Sequence, residues 1–215
     1  MNEAKLFIEG IEMNRVSSTC FLGVIVDEHC NWKEQIDSVA KKISKSIGII
    51  RKISPFLNRS TLLTLYYSLI YPYLTYCNLV WANTYPTNLH KLHLLQKRFV
   101  RTATNSNFRA PSSTLFTKLK ITTIFDINAI QICTFIYKAI HQNHVLPNQF
   151  QQYFRLNSSL HSHTTRQAAT RGQYTVKYRG ILLWNEHHQL ADSSPSLKIF
   201  KKRLLLKLTG QHKLV

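Results

Sequence analysis

Thr61–Thr104 reads TLLTLYYSLIYPYLTYCNLVWANTYPTNLHKLHLLQKRFVRTAT, and the reading of this stretch decides the fold. Its first half is the longest uncharged run in the chain. Between Arg59 and His90 only Cys77, with a reference pKa of about 8.5, ionises near neutral pH. Tyr66, Tyr67, Tyr71, Tyr73 and Tyr76 crowd the run, and Trp81 follows. The second half turns amphipathic and basic. Leu89, Leu92, Leu95 and Phe99 recur at a helical spacing, while Lys91, Lys97, Arg98 and Arg101 fall elsewhere. An apolar helical hairpin is therefore expected as the core, with basic elements arranged on it. Thr61–Ala82 also has the length of a membrane span. Pro72, Asn78 and the inner threonines argue against a span, and tyrosine prefers the membrane interface to its centre. A buried core helix, kinked or broken at Pro72, is the preferred reading, because proline removes a backbone donor and clashes with the preceding turn.

Working outward, 215 residues suit one or two domains, and 44% hydrophobic residues can bury a real core. Six glycines and six prolines are too few for a fibrous or disordered chain. The opening MNEAKLFIEG has no apolar signal-like region. Cys20, Cys30, Cys77 and Cys133 show no CxxC spacing, so free thiols in a reducing compartment are expected: cytoplasm or nucleus, not secretion. The charge pattern is more telling than its total of +18. Residues 1–30 carry two cations against five acids, a net of −3, which leaves +21 for the rest. Between Asp37 and Asp126 there is no acidic residue and there are 13 lysines and arginines. A one-sign field of that length suggests a polyanionic partner, nucleic acid first and an anionic membrane surface second.

Ala4–Ile8 and Ile11–Met13 read as strands about a Glu9-Gly10 turn. Cys20–Val26 is continuously apolar and reads as one buried strand, with Gly23 at a bulge or a close backbone approach. Asn31-Trp32-Lys33-Glu34 has the form of a capping box opening a helix from Trp32 to about Ile53. Trp32, Ile36, Val39, Ile43, Ile47 and Ile50 share one stripe of it, and Lys41, Lys45 and Lys52 project almost opposite. Ser54-Pro55 ends it. Further helices are expected over Ser113–Leu119, Ile124–Gln142 and Leu197–Leu208, the last carrying Lys198, Lys201, Lys202, Arg203 and Lys207. Tyr174–Trp184 is read as one or two strands, and 148–180 as polar and weakly patterned. The fold class expected is mainly α, with an N-terminal β-hairpin element and a small mixed C-terminal region.

Chemistry is poorly supplied. His161-Ser162-His163 and His187-His188 have no cysteine partners at a finger spacing, so no metal site is expected. After residue 37 the only carboxylates are Asp126, Glu186 and Asp192, each isolated. No phosphate-binding glycine loop occurs.

The sequence resembles the region after the active site of reverse transcriptases of non-LTR (LINE-like, jockey-type) retrotransposons. STCFLGVIVD at Ser18–Asp27 looks like the family's KFLGVxxD segment, the primer-grip strand pair at the end of the palm. Trp32, Ile36 and KKISKSIGIIRKI resemble the first thumb helix, and LLTLYYSLIYPYLTYCNLVWANTYPTNLHKLHLLQKRFVR resembles the segment after it. Lys177-Tyr178-Arg179-Gly180, Leu183-Trp184-Asn185, Ser196-Leu197 and Phe200-Lys201 look like the family's tail; Glu186-His187-His188 departs from it. The resemblance implies a palm remnant with primer-grip-like strands over 1–30, a thumb-like helical region over 31–110, a helical extension over 111–147 and a basic tail over 148–215. It implies primer-grip-like roles for Phe21, Leu22 and Gly23. Lys41, Lys45 and Lys52 would face phosphates, Gly48 would permit close approach of a duplex backbone, and Lys97, Arg98 and Arg101 would add to the same interface. The family holds two magnesium ions on palm aspartates in an aromatic-Ala-Asp-Asp turn, and this chain has no Asp-Asp pair. The expected chain is thus a polymerase fragment without a cofactor of its own and without primer extension. Its partners would be an RNA–DNA or DNA duplex, bound by electrostatics, and the polymerase palm. The alternatives are a non-catalytic remnant, either a protein-binding helical domain or functionless, and a membrane-associated basic protein.

Overall fold

The computed structural model describes residues 6–141, 147 and 175–211. Two antiparallel hairpins open the described chain. β1 (Leu6–Ile8) pairs with β2 (Ile11–Met13) about Glu9 and Gly10, the turn expected from the sequence. β3 (Ser18–Phe21) pairs with β4 (Val24–Asp27) and forms its own sheet, separate from the first. Cys20–Val26 is therefore not one buried strand. It reverses at Leu22 and Gly23, whose φ values of 48° and 79° are both left-handed, as in the tight hairpin turns whose twist matches paired strands. Gly23 makes the turn rather than a bulge.

Asp27 joins this hairpin to α1 (Lys33–Ile53). Its buried carboxylate accepts from the backbone N–H groups of His29, Asn31 and Trp32 at 3.0–3.1 Å. Trp32, with φ of 64°, is the N-cap in place of Asn31, and Asn31 Oδ1 accepts from Lys33 N. The expected capping box does not form: Trp32 makes no side-chain cap, and Asp27 instead fixes the backbone entering the helix. Burial alone would raise the Asp27 pKa. The backbone donors at Asn31, Trp32 and His29 outweigh it and hold the carboxyl below its ordinary value. Asp27→Asn is expected to cost about 1–3 kcal/mol, since it weakens this set of charge-assisted bonds. The sign with pH follows from the lowered pKa. Asp27 stabilises the fold above the unfolded carboxyl pKa of about 3.9, and this contribution disappears as pH falls through the folded value. Urea midpoints across pH 2–7 check it: the two proteins differ at pH 7 and converge in acid, and equal midpoints at pH 7 would refute the capping role.

α1 buries Ile36, Val39, Ile43, Ile47 and Ile50, the stripe read from the sequence, and packs on α5 (Pro86–Ala103), which buries Leu89, Leu92, Leu95 and Phe99. Between them the uncharged run folds as three pieces: α2 (Arg59–Leu69), α3 (Tyr71–Thr75) and α4 (Asn78–Trp81). The break falls at Ile70, two residues before Pro72, because proline is tolerated in a helix's first turn. A second break comes at Cys77, with φ of 48°. Buried amides register these pieces. Gln96 Nε2 donates to Tyr66 Oη and Thr122 O, and Gln96 Oε1 accepts from Ile124 N. Asn128 Nδ2 donates to Asn78 Oδ1, and Asn78 Nδ2 to Leu74 O.

α6 (Ser112–Leu119) and α7 (Ile124–His141) follow as expected; the predicted end of α7 at Gln142 lies outside the described residues. The first hydrophobic core runs from Val24 to Ile127. A second gathers Ala129, Ile132, Cys133 and Ile136 of α7 with residues of α8 (Val176–Asp192) and α9 (Leu197–Gln211). Over the described residues, the strands expected in Tyr174–Trp184 are instead the start of α8. Thr175 caps it by accepting from Tyr178 N, and Ile181, Trp184 and Ala191 lie buried at helical intervals. Local β-branching yields there to the cap and the period. The C-terminal end is therefore helical among the described residues, not mixed. At Gly180 a Cβ would stand 2.8 Å from Ile136 Cδ1, so glycine lets α8 close on α7. The weakly patterned residues 148–174, His161 and His163 among them, lie outside the described residues.

Candidate nucleic-acid interface

Lys41, Lys45, Gly48 and Lys52 fall within about 60° of one another around α1, by the 3.6-residue period. All four are exposed, opposite the packed stripe. Among the described residues no ion pair includes the three lysines. A Cβ at Gly48 would meet nothing within 4 Å. On one flank of this ridge Lys42 Nζ lies 5.7 Å from the centre of the Tyr73 ring on α3. On the other flank a groove of about 680 Å3 runs between the C-terminal halves of α1 and α5, lined by Ser44, Gly48, Arg51, Arg98, Arg101 and Phe108 among others.

The sequence-selected cations divide here. Arg98 is exposed in the groove. Arg101 is half-buried; its Nε and Nη2 donate to Ala110 O at 3.3 and 3.2 Å, and its guanidinium lies 5.5 Å from the Phe108 ring centre. It therefore ties down the loop after α5 as well as lining the groove. Lys97 is half-buried and does not line it. One turn before Lys97, on the same side of α5, His93 stacks on Phe116 of α6. Arg51 and Phe108 escaped the sequence reading. The period of KKISKSIGIIRKI placed Arg51 beside Gly48, but the more regular line of lysines masked it. Phe108 carried no sequence signal, since an aromatic residue in a loop reads equally well as core.

Phe21 and Leu22 form an apolar hairpin tip, 67% and 73% exposed. Tyr76 Oη donates to Leu22 O at 2.6 Å, which ties the tip to the end of α3. A left-handed, solvent-facing leucine conflicts with local preference, and such conflicts collect at functional positions. Leu22→Asn is expected to raise stability by up to about 1 kcal/mol, because asparagine accepts the left-handed region. A thermal melt checks this: an unchanged or lower midpoint would mean that the leucine side chain stabilises the fold.

Among the described residues no group of three His, Cys, Asp or Glu side chains comes together, and the Asp27 carboxylate is already engaged by backbone N–H groups. The described residues do not assemble the paired carboxylates of a two-magnesium centre. All four cysteines are free, and burial pushes the Cys133 thiol up to about 12. No single described helix is long and apolar enough to cross a membrane; the bent pair α6–α7 passes on length and composition, with its apolar residues packed in the two cores. No family model, curated protein or solved structure matches the chain.

Proposed function

We propose that this chain is a thumb-like, duplex-holding module of a non-LTR retrotransposon reverse transcriptase, a fragment that binds template–primer without catalysing its extension. One observation carries the reading. Three lysines, Lys41, Lys45 and Lys52, stand exposed in line beside an open Gly48, in a segment without acids from residue 38 to 125. Cations so placed neutralise successive phosphates, giving affinity without sequence preference. Gly48 leaves room for the sugar-phosphate backbone, and Arg51 and Arg98 extend the field across the groove. The resemblance of Ser18–Asp27 and of the thumb-like segments supports the assignment to that polymerase class. Such a module acts in the cytoplasm or nucleus. Lys97 contributes less than its charge suggests, being half-buried toward α6.

The exposed apolar tip at Phe21 and Leu22 favours an additional protein contact, with the polymerase palm as its partner. Binding of the purified chain to a labelled RNA–DNA duplex, titrated across salt concentrations, tests the main reading. Affinity that falls steeply with salt supports it. Absence of binding at low salt would refute it and leave the protein-interaction reading.

A further inference from the structure

We propose that the groove between α1 and α5 takes one unpaired nucleotide, its base stacked on Phe108 and its phosphate held between Arg51 and Arg98. The inference rests on the nucleic-acid reading above and specifies a form of ligand that the lysine ridge cannot distinguish. Phe108 is 78% exposed, and one side of its ring is taken by the Arg101 guanidinium at 5.5 Å. An aromatic ring that burial does not explain, sharing its groove with Arg51, Arg98 and Arg101, matches the stacking platforms of single-strand binding sites.

The platform is held in place. Arg101 donates twice to Ala110 O, Asn107 Oδ1 accepts from Arg109 N at 3.1 Å, and Ala110 N donates to Asn107 O at 2.9 Å. The groove's volume of about 680 Å3 lies within the ~300–1,000 Å3 typical of small-ligand sites. That volume is of the size a single nucleotide fills. Ser44, Asn105 and Ser106 add polar atoms to its wall, suited to a sugar or a base edge. Arg51 and Arg98 are both exposed, and no described ion pair engages either. Duplex phosphates on the lysine ridge would thus lie next to a slot for the first unpaired residue of an overhang.

The test uses the full chain with two RNA–DNA duplexes of one sequence, blunt or carrying a five-nucleotide single-stranded extension at either end, and a free oligonucleotide. Stacking of one base predicts roughly ten-fold tighter binding of an extended duplex than of the blunt one. Phe108→Ala should abolish that preference; Phe108→Trp should restore it. Arg51→Gln with Arg98→Gln should also reduce it. Lys41→Gln, Lys45→Gln and Lys52→Gln together should weaken both duplexes and keep their ratio. A wild type that binds both duplexes equally, or a Phe108→Ala protein that keeps the preference, overturns the groove and leaves the duplex reading intact. Binding of the free oligonucleotide alone, abolished in Phe108→Ala, supports the groove and refutes the duplex reading. No binding of any of them overturns both.

Discussion

Glutamine in place of Lys41, Lys45 and Lys52 together is expected to lower affinity for an RNA–DNA duplex by roughly a hundred-fold at 0.15 M salt. The magnitude follows from counterion release. Each phosphate that is no longer neutralised reduces the log–log salt slope by about 0.9 for a DNA duplex, so three such phosphates change it by at most about 2.7. The packed face of α1 lies on the other side, so folding should be nearly unaffected, within about ±0.5 kcal/mol. The matching control replaces Lys198, Lys201 and Lys202, which are also exposed, on α9. Equal weakening in both triple variants would make the basic field diffuse and end the assignment to α1. No weakening in either would remove the nucleic-acid reading altogether. An effect confined to the α1 variant is the expected result.

The parts of this candidate interface that were legible in the sequence share a physical cause. The α1 ridge could be read because isoleucines recurring at the helical period fix which side packs, and the lysines then have only one side left. The hairpin turn at Leu22 could not, because its left-handed conformation falls on a leucine, which carries no turn signature. Arg101 illustrates a second limit. A cation that satisfies a loop carbonyl and one that faces a phosphate have the same sequence signal. α8 was hidden because its buried positions include a glycine and a histidine, Gly180 and His187, which blur the apolar period. The buried amides were hidden for a related reason: polar residues read as surface until their partners are known.

Gln96 is where that last effect has its largest expected consequence. Gln96→Met keeps the side-chain length and removes all of its hydrogen bonds at once. The amide is fully buried; it donates to Tyr66 Oη at 2.8 Å and Thr122 O at 3.0 Å, and accepts from Ile124 N at 2.8 Å. Tyr66 is itself fully buried, and desolvation raises its pKa, so its hydroxyl stays neutral at any ordinary pH. Each group left without a partner costs about 1–3 kcal/mol, and relaxation recovers part of the total. A destabilisation of about 3–5 kcal/mol is expected, a large share of a typical domain's stability. A double-mutant cycle with Tyr66→Phe isolates the shared bond. Deleting the hydroxyl removes one of the orphaned groups, so the double variant should be destabilised by at least about 1 kcal/mol less than the sum of the singles. A Gln96→Met protein whose stability stays within about 1 kcal/mol of wild type would sink the argument. The consequence reaches the candidate interface through α5. Arg98 lies about 160° around that helix from Gln96, at two residues of roughly 100° each measured the short way. The amide thus holds the inner side of α5 to α2 and to the entry of α7, while the outer side presents Arg98 to the groove. Below its lowered melting point the variant should still bind a blunt duplex through the α1 ridge. Its preference for an extended duplex should fall, because that preference depends on how α5 is seated against α1.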